Sequence, residues 1–145
     1  MSSSHVDDEV AALLARADQR YTTGRRRLVA ALQAGVGPLT IAQIVADDDG
    51  LPQSTVYRNL TILEEVGAVT RIATNDEFSR YELAEHLTEH HHHLICSSCG
   101  SVTDFSLDKR TEATLTRALQ RAADGAGFDA DAHRLDLVGT CASCK

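Results

Sequence analysis

Tryptophan is absent from this 145-residue chain and aromatic residues make up only 4% of it, so aliphatic side chains must supply any core. The apolar share of 43% is adequate for that, and the length suits one ordinary domain or two small ones. No apolar stretch approaches the roughly 20 residues that a helix needs to cross a bilayer. The opening segment, Met1 to Glu9, is polar and acidic, unlike a secretory signal. These absences lead us to expect a cytoplasmic protein with no membrane partner. No H-E-x-x-H pattern occurs, which argues against a metallohydrolase. An excess of positive charge is also missing. The net charge of −7 disfavours indiscriminate attraction to nucleic acid. Basic residues are nevertheless grouped in the first half, at Arg25-Arg26-Arg27 with Arg16, Arg20 and Arg58. Such a group either meets phosphate as a local patch or is simply a solvated helix face.

What the chain does contain is a concentration of metal-binding side chains. His90, His91, His92 and His93 run without a break into Leu94-Ile95-Cys96-Ser97-Ser98-Cys99-Gly100, and Cys141 and Cys144 stand at the end. All four cysteines fall in C-x-x-C pairs, a spacing that lets two thiolates reach one ion from a tight turn. In a reducing compartment such pairs bind metal or do redox work more often than they form structural disulfides. Four thiolates brought together make a closed tetrahedral sphere, the arrangement of structural Zn2+. The competing reading, a thiol oxidoreductase, requires a C-x-x-C at a helix N-terminus. Both pairs here read instead as knuckles between or after strands.

Periodicity divides the chain into two textures. In the first half Val10, Leu13, Leu14 and Ala17 form one amphipathic stripe. Thr22 or Thr23 can cap a second helix that turns Leu28, Val29 and Leu32 inward, and Thr40 can cap a short third one. A fourth helix opens at Ser54 and ends before Gly67, with Val56, Leu60 and Leu63 inward. Its exposed first turns then carry Ser54, Thr55, Tyr57 and Arg58, side chains suited to a major groove. Segments 68–72 and 79–83 are β-like and flank a turn at Thr74-Asn75-Asp76-Glu77. Helices followed by a hairpin make a winged helix-turn-helix. The second half reads as paired strands around Cys96–Cys99, a helix from Leu107 to about Ala123, and a third strand near His133–Val138. The fold class expected is α+β: a winged helix followed by a small α/β unit whose three-stranded sheet is antiparallel. The boundaries expected are residues 1–83, a linker at 84–89, and 90–145.

Strand parity gives the histidines meaning. Alternate side chains face opposite ways, so His91 and His93 share one side and His90 and His92 the other. Glu82, Glu85 and His86 near the linker are candidates to complete the first pair. Glu112 on the helix and His133 on the last strand are candidates to complete the second.

The string His90 to Gly100 resembles the H-H-x-H-L-[IV]-C-x-x-C-G signature of the ferric uptake regulator family. Ser54-Thr55-Val56-Tyr57-Arg58-Asn59-Leu60 is similar to its recognition-helix motif, and Gly139 to Cys144 to its closing C-x-x-C. The resemblance extends from about Tyr21 to the end. It implies a homodimeric metalloregulator rather than an enzyme, acting as a repressor on palindromic double-stranded DNA operators. It implies structural zinc on Cys96, Cys99, Cys141 and Cys144, and a dimerisation-domain site on His90, His92, Glu112 and His133. It further implies a regulatory hinge site through Glu82, His91 and His93, holding a second divalent metal, Zn2+ or Fe2+. The chain departs from the family pattern in the turn before the third helix, where Pro38 stands and no His is near. The stretch between Glu82 and His91 is also longer than in iron sensors, which makes His86 the expected replacement ligand. Arg25, Ser54, Thr55, Tyr57 and Arg58 are the expected DNA contacts.

Overall fold

The computed structural model describes residues 2–74 and 78–145. Four helices lead: α1 (Ser3–Arg16), α2 (Thr23–Ala34), α3 (Ile41–Asp47) and α4 (Gln53–Glu65). The helix ends follow from local chemistry. The Thr22 hydroxyl accepts from the Arg25 amide to start α2. Thr40 and Gln43 satisfy each other's orphan amides in a capping box at α3. Gly67 closes α4 with φ +80°, a left-handed conformation that costs glycine little. Each helix buries its apolar stripe: Val6, Val10 and Leu14 from α1, Leu28, Val29 and Leu32 from α2, Ile44 from α3, and Val56, Leu60 and Leu63 from α4.

A short strand β1 (Leu39–Thr40) precedes α3, and β2 (Val69–Ile72) and β3 (Arg80–Leu83) follow α4. They form an antiparallel sheet in the order β1-β3-β2. Strand β1 is too short to read from alternation. Of the expected wing turn, residues 75–77 lie outside the described residues. One apolar cluster gathers these elements and runs from Val6 to Leu87, which sits on the 3-10 turn Glu85–Leu87.

The second half contains β4 (His92–Cys96), β5 (Val102–Phe105), α5 (Lys109–Gly125) and β6 (Asp136–Gly139). Its sheet has three strands in the order β5-β4-β6. β5 is antiparallel to β4, but β6 is parallel to it. The second sheet is therefore mixed, and the all-antiparallel arrangement expected there belongs to the first sheet alone. The reason lies in the connection. Between β5 and β6 the chain passes through α5, long enough for the crossover that parallel neighbours require. Alternation within a strand carries no information about that choice. The Asp108 side chain caps α5 by accepting from the amides of Arg110 and Thr111. Among the described residues, no helix is long and apolar enough to cross a membrane.

Candidate metal centres

Three groups of ligand-type side chains lie around β4, each with its donor atoms within 4.8 Å of one another. The first is Cys96, Cys99, Cys141 and Cys144. Parallel pairing of Cys96 with Gly139 carries the end of the chain back beside the first knuckle. Cys99 Sγ and Cys141 Sγ are 3.8 Å apart, and the Cys141 amide donates to Cys96 Sγ at 3.3 Å. Backbone amides of Cys141 and Cys99 lower the Cys96 thiol to about 6, while hydrogen bonds with Cys141 and Cys99 raise Cys144. Four thiols gathered without a disulfide fit a tetrahedral ion that takes them all as thiolates. Neither pair opens a helix, so the geometry of a redox C-x-x-C is not met.

The second group comprises His90, His92, Glu112 and His133. Glu112 is its centre. One carboxylate oxygen lies 3.1 Å from His90 Nε2 and 2.9 Å from His133 Nε2, and the other lies 2.8 Å from His92 Nε2. Hydrogen bonds from His92 and His133 outweigh burial and hold this carboxyl below its ordinary value. His92 is wholly buried beside Phe105, its cross-strand partner.

The third group is Glu82, His91, His93 and Asp104. His91 Nε2 and His93 Nε2 both lie 3.1 Å from the same oxygen of Glu82. Asp104 completes the ring, 3.8 Å from His91 Nε2 and 3.6 Å from His93 Nε2. Its Oδ1 is buried with no hydrogen-bond partner among the described residues. An orphaned carboxylate oxygen facing two imidazoles is costly, and a divalent cation there would satisfy it. The donor set therefore fits a metal. Burial pushes Glu82 upward, but hydrogen bonds from His93 and His91 prevail and hold it low. Burial opposes protonation of His91, but the Glu89 carbonyl and Glu82 raise its pKa; for His93, Glu82 is the leading cause of the rise. Burial and the Glu82 charge both raise Asp104. A cation bound here would have to displace any protons that these groups carry.

The Ferric uptake regulator family profile matches residues 16–138. The chain belongs to that family. It is 28% identical to the peroxide-responsive repressor PerR of Staphylococcus aureus (strain USA300), over 99% of this chain and 95% of that protein. Its structure superposes on the Helicobacter pylori ferric uptake regulator with a TM-score of 0.74 at 22% identity, covering 99% and 94% of the two chains. The Vibrio cholerae ferric uptake regulator gives 0.71 at 27% identity, over 90% and 98%. Members of the family are metal-dependent transcriptional regulators rather than enzymes, and this chain is such a metalloregulator.

The metalloregulator brings the expected ligand side chains together unevenly. The cysteine group and the His90 group are brought together in full. The hinge group keeps Glu82, His91 and His93 but not His86, which is exposed on the 3-10 turn, where Leu87 instead faces the core. Asp104 takes the fourth place and was missed. The one local signal is that Asp is uncommon within a strand; that it stands opposite His93 follows from the strand register, which only the fold shows. On α4, Ser54, Tyr57 and Arg58 are exposed and Thr55 is half-buried. Arg25 corrects the expected DNA face. It is buried, donating to Asn59 Oδ1 at 3.2 Å and to the Arg20 carbonyl at 2.5 Å, so it ties α2 to α4. Its neighbours are engaged too: Arg26 stacks on Tyr21, and Arg27 pairs with Asp48.

Proposed function

We propose that this metalloregulator senses a divalent metal, Zn2+ or Fe2+, at Glu82, His91, His93 and Asp104, and couples its occupancy to operator binding as a homodimer. One observation carries the reading: this group alone among the three takes a ligand from each half of the molecule. Glu82 belongs to β3 in the first sheet, while His93 and Asp104 belong to the second and His91 immediately precedes β4. A cation at that point supplies a common positive centre for groups that otherwise repel, namely Glu82 and Asp104. Holding both carboxylates fixes the angle between a winged-helix unit, residues 1–83, and a dimerisation unit, residues 90–145, across the linker 84–89. In a dimer that angle sets the separation of two α4 helices against two half-sites. A coupling of about 1–3 kcal/mol suffices for 5–150-fold tighter DNA binding.

The other two groups take all their ligands from the second half, although His90 also pairs with Glu85 of the linker. The four cysteines hold structural zinc, and His90, His92, Glu112 and His133 form a further site within the dimerisation unit. Ser54, Thr55, Tyr57 and Arg58 contact the operator, a palindrome repressed in the cytoplasm. The dimer is supported by apolar surface with no cover in one chain: Leu119 on α5, and Leu94, Leu137 and Val138 on the second sheet, are all exposed. The test is an operator gel-shift with ion-free regulator, titrated separately with Zn2+, Fe2+ and Mn2+ at buffered free concentrations. Binding should tighten at least about fivefold with the cognate ion, and the gain should vanish in His91→Ala/His93→Ala. Metal-dependent binding by that double variant would overturn the assignment.

A further inference from the structure

His93 sits in the middle of a row that crosses all three strands of the second sheet. Register places Asp104 of β5 on one side of it and Asp136 of β6 on the other. The two carboxylates address different atoms of one imidazole. Asp104 is on the Nε2 side at 3.6 Å, with Glu82 at 3.1 Å. Asp136 Oδ1 is 3.2 Å from Nδ1. The contact is anchored by backbone, because the His93 amide donates to the Leu135 carbonyl at 3.3 Å immediately before Asp136.

We infer that Asp136 is the positioning residue of the hinge site: its carboxylate accepts the Nδ1–H of His93 and leaves Nε2 as the donor that faces Glu82, His91 and Asp104. This rests on the hinge reading above. A ligand imidazole whose second nitrogen donates to a carboxylate has one tautomer, one ring orientation and a more basic metal-facing nitrogen. His91 has a weaker version of the device, its Nδ1 lying 2.9 Å from the Glu89 carbonyl. Asp136 also gives the hinge a mechanical connection. It lies on the strand that continues from His133 of the second group and leads to Cys141 of the first. The orientation of a hinge ligand is therefore set by the strand the other two groups hold in place.

The parent for the test is full-length protein loaded with zinc at the cysteines and carrying His90→Ala/His133→Ala, so that added Mn2+ reports on the hinge alone. Mn2+ affinity is read by electron paramagnetic resonance of the free ion, thiolate-bound zinc by stoichiometry, and the His93 tautomer by 15N resonances of the ion-free protein at a pH where the imidazole is neutral. Asp136→Ala should weaken Mn2+ binding about 10–100-fold and shift His93 away from its Nδ1–H form, with zinc retained. Asp136→Asn keeps an acceptor oxygen and should recover part of the affinity and the tautomer. Parental affinity in Asp136→Ala overturns the inference while leaving the hinge site standing. Weakening only in preparations that have lost zinc overturns it too, since that is merely a structural role for β6. A parent that binds no Mn2+, Zn2+ or Fe2+ overturns both the hinge reading and the inference.

Discussion

Helix α2, with 12 residues, buries Leu28, Val29 and Leu32, whereas α5, with 17 residues, buries none. The same contrast separates the sheets. Three of the four residues of β3 are buried, whereas all four of β6 are exposed. The apolar cluster that unites the first half ends at Leu87. Beyond it, only Ile95 and Cys96 are buried apolar residues. The first half is thus held by area removed from water, at about 25 cal/mol per Å2. The second half has the same kinds of element but little core of its own. Its ties are three polar clusters centred on one strand, together with an apolar face that one chain leaves bare. Amphipathic pattern decides where a helix could bury its stripe, and the surroundings decide whether it does.

The sharpest way to break that contrast is to remove the zinc proposed on the four cysteines. Metal binding in small domains contributes folding free energy of about 10–16 kcal/mol in zinc-finger peptides. Cys96→Ser, or chelation, should abolish amide protection in β4, β5 and β6 and dissociate the proposed dimer. Protection in α1, α2 and α4 should persist, as hydrogen exchange can show residue by residue. A second sheet that stays protected without its ion would show that the two halves are not held differently after all. The reverse experiment is Leu60→Ala, at a fully buried position in α4. It should cost about 2–5 kcal/mol in the unfolding of the helical half while thiolate-bound zinc stays at the parental level. A smaller effect is expected from Leu119→Asp on the exposed face of α5. A charge at the centre of the proposed interface should raise the dimer dissociation constant about tenfold or more, read by sedimentation. The helical half should melt as before.

The first half is the more legible from sequence for the same reason that it has the larger apolar core. Its stripes of Leu28/Val29/Leu32 and Val56/Leu60/Leu63, and its caps at Thr22 and Thr40, are local signals, and local signals decide helices. Strand parity is local too, and it separates His91 and His93 from His90 and His92. Register is not local. Nothing within residues 102–105 or 136–139 says that Asp104 and Asp136 flank His93, nor that β6 runs parallel to β4. His86 illustrates the opposite error. It is close to the site in sequence, but the 3-10 turn gives its inward position to Leu87. Arg25 was misplaced because a run of three arginines looks like a surface, while Asn59 and the Arg20 carbonyl give this one a satisfied interior.

The finest test concerns the joint between the halves rather than either half. Gly37, in the turn after α2, approaches β5 so closely that a Cβ would lie 2.7 Å from the Val102 carbonyl oxygen. That turn is where the family pattern expects a histidine, and here backbone packing against backbone occupies the place. The φ of Gly37 is not left-handed, so alanine is tolerated by the local chain and should even stabilise the helical half slightly, by up to about 1 kcal/mol through the unfolded state. The methyl group can be accommodated only by moving the turn away from β5, which alters the relation of Glu82 to His91, His93 and Asp104. Gly37→Ala should therefore leave the melting of the isolated core and the zinc content unchanged or better. Metal-stimulated operator affinity should fall a few-fold, about 1 kcal/mol of the coupling. Equal loss in ion-free and ion-loaded protein would locate the effect in the DNA-binding face instead. Parental coupling would mean that the two halves are joined through the metal ligands alone, with the glycine contact incidental.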